Sequence, residues 1–234
     1  MTLFKMQKVI IIFGAPGSGK GTQAGLLSEN LGFYHLESSK VLEYCFKNED
    51  TNKVFSIDGK DYKVGGEIEN WKTGILTSPP FVTVLMLEEI KKLAGRGESF
   101  IMSGSPRTIY EVEKEMPVLV ELYGKENIKV LFLEISAETT IFRNSHRKIC
   151  ELMRHSILSN KETENLTICP LDGSKLVKRK DLDDPETIKV RIREYNERTL
   201  PMVEYFEKNN FQVKKINGEQ FVADVHKDIL AAIQ

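Results

Sequence analysis

The chain has 234 residues, 41% hydrophobic and 29% charged, which excludes a disordered or fibrous polypeptide and allows a sizeable buried core. Thirty-three Lys and Arg against 34 Asp and Glu leave a formal charge of −1, without the basic excess of a general nucleic-acid binder. Three scattered cysteines, Cys45, Cys150 and Cys169, make no disulfide framework and point to a reducing compartment.

The apolar run Val9-Ile10-Ile11-Ile12-Phe13 stops at Gly14 with no cleavage-like site. It is too short for the core of an export signal or for a membrane span, so a cytoplasmic protein with no membrane partner is expected. The run predicts a strand buried on both faces. Similar runs predict strands over 99–102, 128–133 and 211–216, with a shorter one over 33–36. Helical periodicity falls between them, over 21–30, 81–93, 110–123 and 137–147. The alternation predicts an α/β fold, a five-stranded parallel sheet covered by helices on both faces.

Two stretches interrupt the alternation. Residues 47–78 hold Asp58-Gly59 between two semi-alternating runs, a hairpin signal because both turn positions need positive φ. Residues 148–180 are polar and lack helical period. Unstructured loops of such length are uncommon inside a compact domain, so each stretch predicts a small inserted subdomain. Asp183-Asp184-Pro185 then opens a long helix, which Pro201 is expected to kink or break.

Gly14-Ala15-Pro16-Gly17-Ser18-Gly19-Lys20 follows the first strand and opens the first helix, the context that a phosphate-binding loop requires. Its glycines let backbone N–H groups turn inward, the helix N-terminus adds positive potential, and Lys20 neutralises terminal phosphates. Gly21 occupies the usual Ser/Thr position, and the hydroxyl comes one residue later at Thr22. Seven of the nine arginines lie between Arg143 and Arg198. Arg143 and Arg147, four apart on one helix face, repel each other unless an anion lies between them.

The stretch from Gly14 to Gln23 is similar to adenylate kinases and related nucleoside monophosphate kinases, and the resemblance extends across almost the whole chain. Gly104-Ser105-Pro106-Arg107-Thr108 resembles their Gly-Phe-Pro-Arg segment. Arg143 and Arg147 match two arginines that open a mobile lid, Arg179 and Arg191 match two that close it, and Ile216-Asn217-Gly218 resembles the loop that holds the adenine of ATP. The resemblance implies a three-layer P-loop core of residues 1–37, 75–142 and 185–234. A monophosphate-binding insertion would span 38–74 and a lid 143–184.

It also implies reversible transfer of the γ-phosphoryl group of ATP, bound with Mg²⁺, to a nucleoside monophosphate by a monomer with no nucleic-acid partner. ATP would lie on Gly14, Ala15, Pro16, Gly17, Ser18, Gly19, Lys20, Gly21, Thr22, Arg143 and Gln220. The monophosphate would lie on Ser38, Lys40, Arg107, Glu111, Arg179 and Arg191. Lys20, Arg107, Arg143, Arg147, Arg179 and Arg191 would surround the transferring group, since planar guanidinium forks suit charge spread over phosphoryl oxygens.

Several positions depart from the family pattern. Lys40 stands where the family carries an Asp, and Glu43 where it carries an Arg that binds the monophosphate. Glu43 repels phosphate and cannot inherit that role, whereas Lys40 restores a cation within one helical turn. Ser103 replaces an Asp near the Mg²⁺ shell, leaving Asp183 and Asp184 as carboxylates beside the lid. Glu111 replaces a Gln that reads adenine. It is open to two readings, an acceptor pair facing the N1–H and amine of guanine, or a surface residue of its helix. Some relatives bind structural zinc in the lid. Cys150, Cys169 and Asp172 match three such ligands, but Met153 stands where the fourth belongs, so His155 or His146 would have to substitute and a metal-free lid is expected. These losses also leave open an alternative, a nucleotide-binding regulatory protein that keeps the fold without turnover. A kinase for a non-nucleotide acceptor is disfavoured by the length of the lid and its four arginines. Cys45 and Trp71 are expected to pack within the first insertion.

Overall fold

In the computed structural model, which describes residues 8–178 and 183–234, strand β1 (Val9–Gly14) is buried along its whole length. It leads through the glycine loop into α1 (Lys20–Leu31) and then β2 (Tyr34–Glu37). The first insertion follows as α2 (Ser38–Asn48), the antiparallel hairpin β3 (Val54–Ile57) and β4 (Lys60–Lys63), and α3 (Val64–Thr73). The core resumes with α4 (Pro79–Gly95), β5 (Phe100–Ser103), α5 (Ile109–Tyr123), β6 (Ile128–Glu134) and α6 (Ala137–His146). Strands β7 (Lys148–Cys150), β8 (Ser156–Ile157) and β9 (Leu176–Val177) form a small antiparallel sheet in the predicted lid. The chain closes with α7 (Pro185–Glu194), α8 (Met202–Lys208), β10 (Val213–Asn217) and α9 (Val222–Ala232).

The five core strands pair in parallel in the order β10-β6-β1-β5-β2, as expected from their continuous apolar runs. Because side chains alternate along a strand, β1 feeds two layers. Val9, Ile11 and Phe13 pack with α4, α5 and α8 through Met86, Ile90, Met116 and Phe206. Ile10 and Ile12 pack with α1 and α9 through Ala24, Leu27, Val225 and Ile229. Strand order reverses on the two sides of β1, so its C-terminal end is the topological switch point where such sheets bind ligands.

The Asp58-Gly59 turn has φ of 50° and 75°, and joins β3 to β4 as expected. The flanking helices α2 and α3 were not expected. They bury Leu42, Cys45 and Val64 against Phe81 and Val82 of α4, with Trp71 packed alongside. The long helix expected from Asp183 ends at Glu194. A wide turn over Tyr195–Thr199 follows, in which the Leu200 N–H donates to the Tyr195 carbonyl at 2.9 Å, and Pro201 then precedes α8. Among the described residues, no helix is long and apolar enough to cross a membrane.

Candidate active site

The loop between β1 and α1 sits at the switch point. Helix α1 starts from Gly19 with no capping side chain and no acid in its first turn, so no side chain competes for its first amides. Lys20 Nζ donates to the carbonyls of Gly14 and Ala15, at 2.8 Å each, and so holds its charge over the loop. Gly21 and Thr22 are exposed on the first turn. Gly17 has φ of +86°, and a Cβ there would lie 2.7 Å from Asn144 Nδ2, so only glycine fits.

Asn144 is fully buried on α6 and was missed by sequence reasoning. Its Nδ2 donates to the Pro16 carbonyl at 3.0 Å, and its Oδ1 accepts from Arg191 Nη1 at 3.4 Å. One side chain thus ties the phosphate loop to an arginine of α7. Arg143 Nη1 donates to the carbonyls of Gly218 at 2.8 Å and Gly17 at 3.4 Å, which joins the loop after β10 to the same centre. Gln220 lies in that loop, with Nε2 donating to the Asn217 carbonyl at 3.1 Å and to Asp228 at 2.8 Å. Arg147 directly follows α6 in an extended conformation, so it does not share a helix face with Arg143 as expected, and Arg191 pairs with Asp183 at 3.8 Å. Arg179 lies outside the described residues. Asp184 caps α7 by accepting from the amides of Glu186 and Thr187, and hydrogen bonds from the Thr187 side chain and amide hold its carboxyl below the usual range.

At the far end of β2, Ser38 is buried at the start of α2. Gly104 has φ of +83°, and a Cβ there would lie 2.5 Å from Ser38 Oγ and 3.0 Å from Arg107 Nη2, so Ser38 and Arg107 meet across a bare backbone. The Arg107 carbonyl accepts from Thr199 Oγ1 at 2.7 Å. Lys40 is largely exposed at the start of α2, where its ammonium lies 3.7 Å from Glu37. Glu43 faces Arg154 of the lid at 3.8 Å. Ser103, in register with Glu37, bonds His35 Nε2 at 2.7 Å. Burial holds that imidazole below its ordinary value, against the opposing charge of Glu37.

Glu111 requires a correction. It is buried, and its two oxygens accept from Thr108 Oγ1 at 2.9 Å, the Arg107 amide at 3.0 Å and Ser105 Oγ at 2.9 Å. The carboxylate is turned onto donors of its own turn and buried there, so it is neither presented to a base nor on the surface. Its carboxylate satisfies the donors of the turn that opens α5.

In the lid, Cys150, His155, Cys169 and Asp172 each offer one ligand atom, all within 4.8 Å of one another. Sγ of Cys150 lies 3.5 Å from His155 Nδ1 and 2.9 Å from Asp172 Oδ2, and Sγ of Cys169 lies 3.7 Å from the same Nδ1. Tetrahedral zinc, with bonds of about 2.0–2.3 Å, sets its ligand atoms roughly 3.3–3.8 Å apart. The donor set fits. Met153 is exposed, and the turn at Arg154, with φ of 58°, brings His155 inward instead.

The arrangement gathers a phosphate loop with its lysine, arginines from α6, α7 and the β5–α5 turn, and a loop that holds Arg143. Backbone amides and guanidinium forks gathered in this way suit phosphate groups, whose charge they neutralise. Residues 12–211 match the family model of the adenylate kinase domain. The adenylate kinase of Caldicellulosiruptor saccharolyticus is 30% identical over 225 residues, covering 96% of this chain and 98% of the relative. That of Caldicellulosiruptor bescii is 32% identical over 227 residues, with the same coverage. The adenylate kinase of Mycoplasma capricolum is 28% identical over 204 residues, 86% of this chain and 87% of its own. A five-stranded parallel sheet with its phosphate loop at the switch point, and a family match across most of the length, place the chain in the adenylate kinase family, phosphotransferases that act on a phosphate acceptor.

Proposed function

We propose that the chain transfers the γ-phosphoryl group of ATP to AMP, giving two ADP, as a cytoplasmic monomer with no nucleic-acid or membrane partner. The observation that carries the reading is Asn144, which bonds both the Pro16 carbonyl and Arg191 and so joins donor and lid sides at one point. Lys20 and the loop amides hold the donor phosphates, Arg107 and Ser38 the acceptor phosphate, and Arg143, Arg147, Arg179 and Arg191 the transferring group. An oxygen of the acceptor phosphate, already anionic, attacks the γ-phosphorus while the bond to the β–γ bridging oxygen breaks, so no general base is needed. Water is excluded as the lid closes.

Adenylate kinases are ATP-dependent enzymes that use a divalent metal, and we take it to be Mg²⁺. The exposed Thr22 hydroxyl on the first turn of α1 and the Glu37 carboxylate at the end of β2 would hold its waters. Bound with ATP, the ion neutralises charge on the β- and γ-phosphate oxygens. Nothing in the site or among the relatives favours the regulatory alternative.

The test is ADP formation, in a coupled assay, from ATP with AMP, GMP, CMP, UMP or dTMP. AMP is expected to give the highest kcat/KM, by about tenfold or more, because a base pocket leaves polar groups unpaired with the wrong base. A preference for GMP would overturn the adenine assignment.

The lid donors extend the proposal to zinc, held by Cys150, His155, Cys169 and Asp172 as a structural ion. Metal analysis of the purified chain is expected to find about one zinc per chain, and Cys169→Ser to lose it together with several degrees of thermal stability. A chain free of zinc after refolding in its presence would remove this site.

A further inference from the structure

Beneath the acceptor arginine lies a polar cluster that the reaction does not use. Glu115, on α5, is fully buried, and its Oε1 lies 2.8 Å from Ser105 Oγ. The same hydroxyl lies 2.9 Å from Glu111 Oε2. Ser105 has one hydroxyl proton, so it donates to only one of the two carboxyl groups. The other contact is a hydrogen bond only if that carboxyl itself donates, and one glutamate must therefore carry a proton. Two ionised carboxylates on one hydroxyl in a buried site would be unpaired like charges.

The surroundings decide which one. Glu111 already accepts from the Arg107 amide and from Thr108 Oγ1, and the Arg107 charge lies beside it. Among the described residues Ser105 is the one hydrogen-bond partner of Glu115, and its Oε2 has no hydrogen bond. We propose that Glu115, Ser105 and Glu111 form a buried relay, with the proton on Glu115, whose function is to position Arg107 for the acceptor phosphate. The neutral acid of Glu115 donates to Ser105 Oγ, Ser105 donates to Glu111, and the Glu111 carboxylate holds the Arg107 amide. Burial pushes the Glu115 carboxyl well above the usual carboxylate range and also raises Glu111, whose hydrogen bonds and Arg107 oppose the rise. With Thr199 holding the Arg107 carbonyl, both sides of the Arg107 backbone are fixed. Glu111 and Glu115 are positioning residues, acting through Arg107.

The inference rests on the proposed acceptor site, and its test separates the two. Infrared difference spectra of wild type minus Glu115→Gln at neutral pH, which need no turnover, are expected to show the C=O stretch of a protonated carboxylic acid. Absence of that band would overturn the relay even if the kinase reading stands. In steady-state assays, Glu111→Gln is expected to raise the acceptor KM about tenfold while the KM for ATP stays put. Glu115→Leu should raise the acceptor KM to a similar degree. Glu115→Gln, whose amide also donates to Ser105, should recover most of that loss. Equal damage from Glu115→Gln and Glu115→Leu, or equal rises in both KM values, would overturn the proposal. If Glu115→Leu does not fold, the infrared band and the Glu115→Gln kinetics still decide it.

Discussion

Replacing Lys20 by alanine is expected to lower kcat/KM for phosphoryl transfer about a thousandfold, roughly 4 kcal/mol of transition-state stabilisation. The lysine is the cation at the centre of the loop, and its ammonium rests on two loop carbonyls at 2.8 Å. Those carbonyls are neutral groups that hold the charge in place for phosphates to take over. Losing the side chain therefore removes a positive charge from the donor site, with no apolar core disturbed. The unfolding midpoint should fall by only a few degrees, because losing two hydrogen bonds to loop carbonyls costs about 1–2 kcal/mol and opens no apolar cavity. Calorimetry alongside the coupled assay separates the two effects. A thousandfold loss of rate with an unfolded protein would mean that the residue is structural.

The second large effect lies in the insertion. Phe81 is fully buried at the start of α4, with an edge-on contact to Phe55 of β3 (ring centroids 5.0 Å, interplanar 82°) and a stacked contact to Phe46 of α2 (6.4 Å, 15°). It is the ring on which the hairpin and α2 both rest. Phe81→Ala leaves a cavity and should cost about 3–5 kcal/mol, a fall in Tm of roughly 6–20 °C. Because both ring contacts belong to the insertion that carries Ser38, the acceptor KM should rise more than the KM for ATP. Thermal unfolding and the two KM values, measured on one preparation, check both halves.

The core was legible in the sequence because parallel strands buried on both faces are written as continuous apolar runs, and Val9–Phe13 is one. The phosphate loop was legible because its glycines and lysine must keep a fixed spacing. Helices α2 and α3 were not. Gly65 and Gly66 in the first turn of α3 lower its intrinsic helix propensity, and packing of Val64, Ile68 and Trp71 around Phe81 overrides that preference. Glu111 was misread because a residue's place in a motif does not say which donors its side chain will meet. The clue was present: Thr108 and Glu111 have the spacing of a capping box, which turns the glutamate back on its own helix end. His155 was one of two histidines that spacing allowed, and only the left-handed turn at Arg154 brings it, and not Met153, to the two cysteines. Glu115 and Asn144 carried no signal in their spacing. Both are polar residues on faces otherwise read as helix, and only the fold shows that they are buried.

The claim on which the rest depends is that one site joins two nucleotides and moves a phosphoryl group between them. It is tested most directly by supplying the purified chain with ADP and Mg²⁺ alone and measuring ATP and AMP over time. Both are expected to appear in equal amounts, at a rate that falls about a thousandfold in Lys20→Ala. Tight binding of ADP with no ATP formed, or loss of ADP to AMP and free phosphate without ATP, would contradict it.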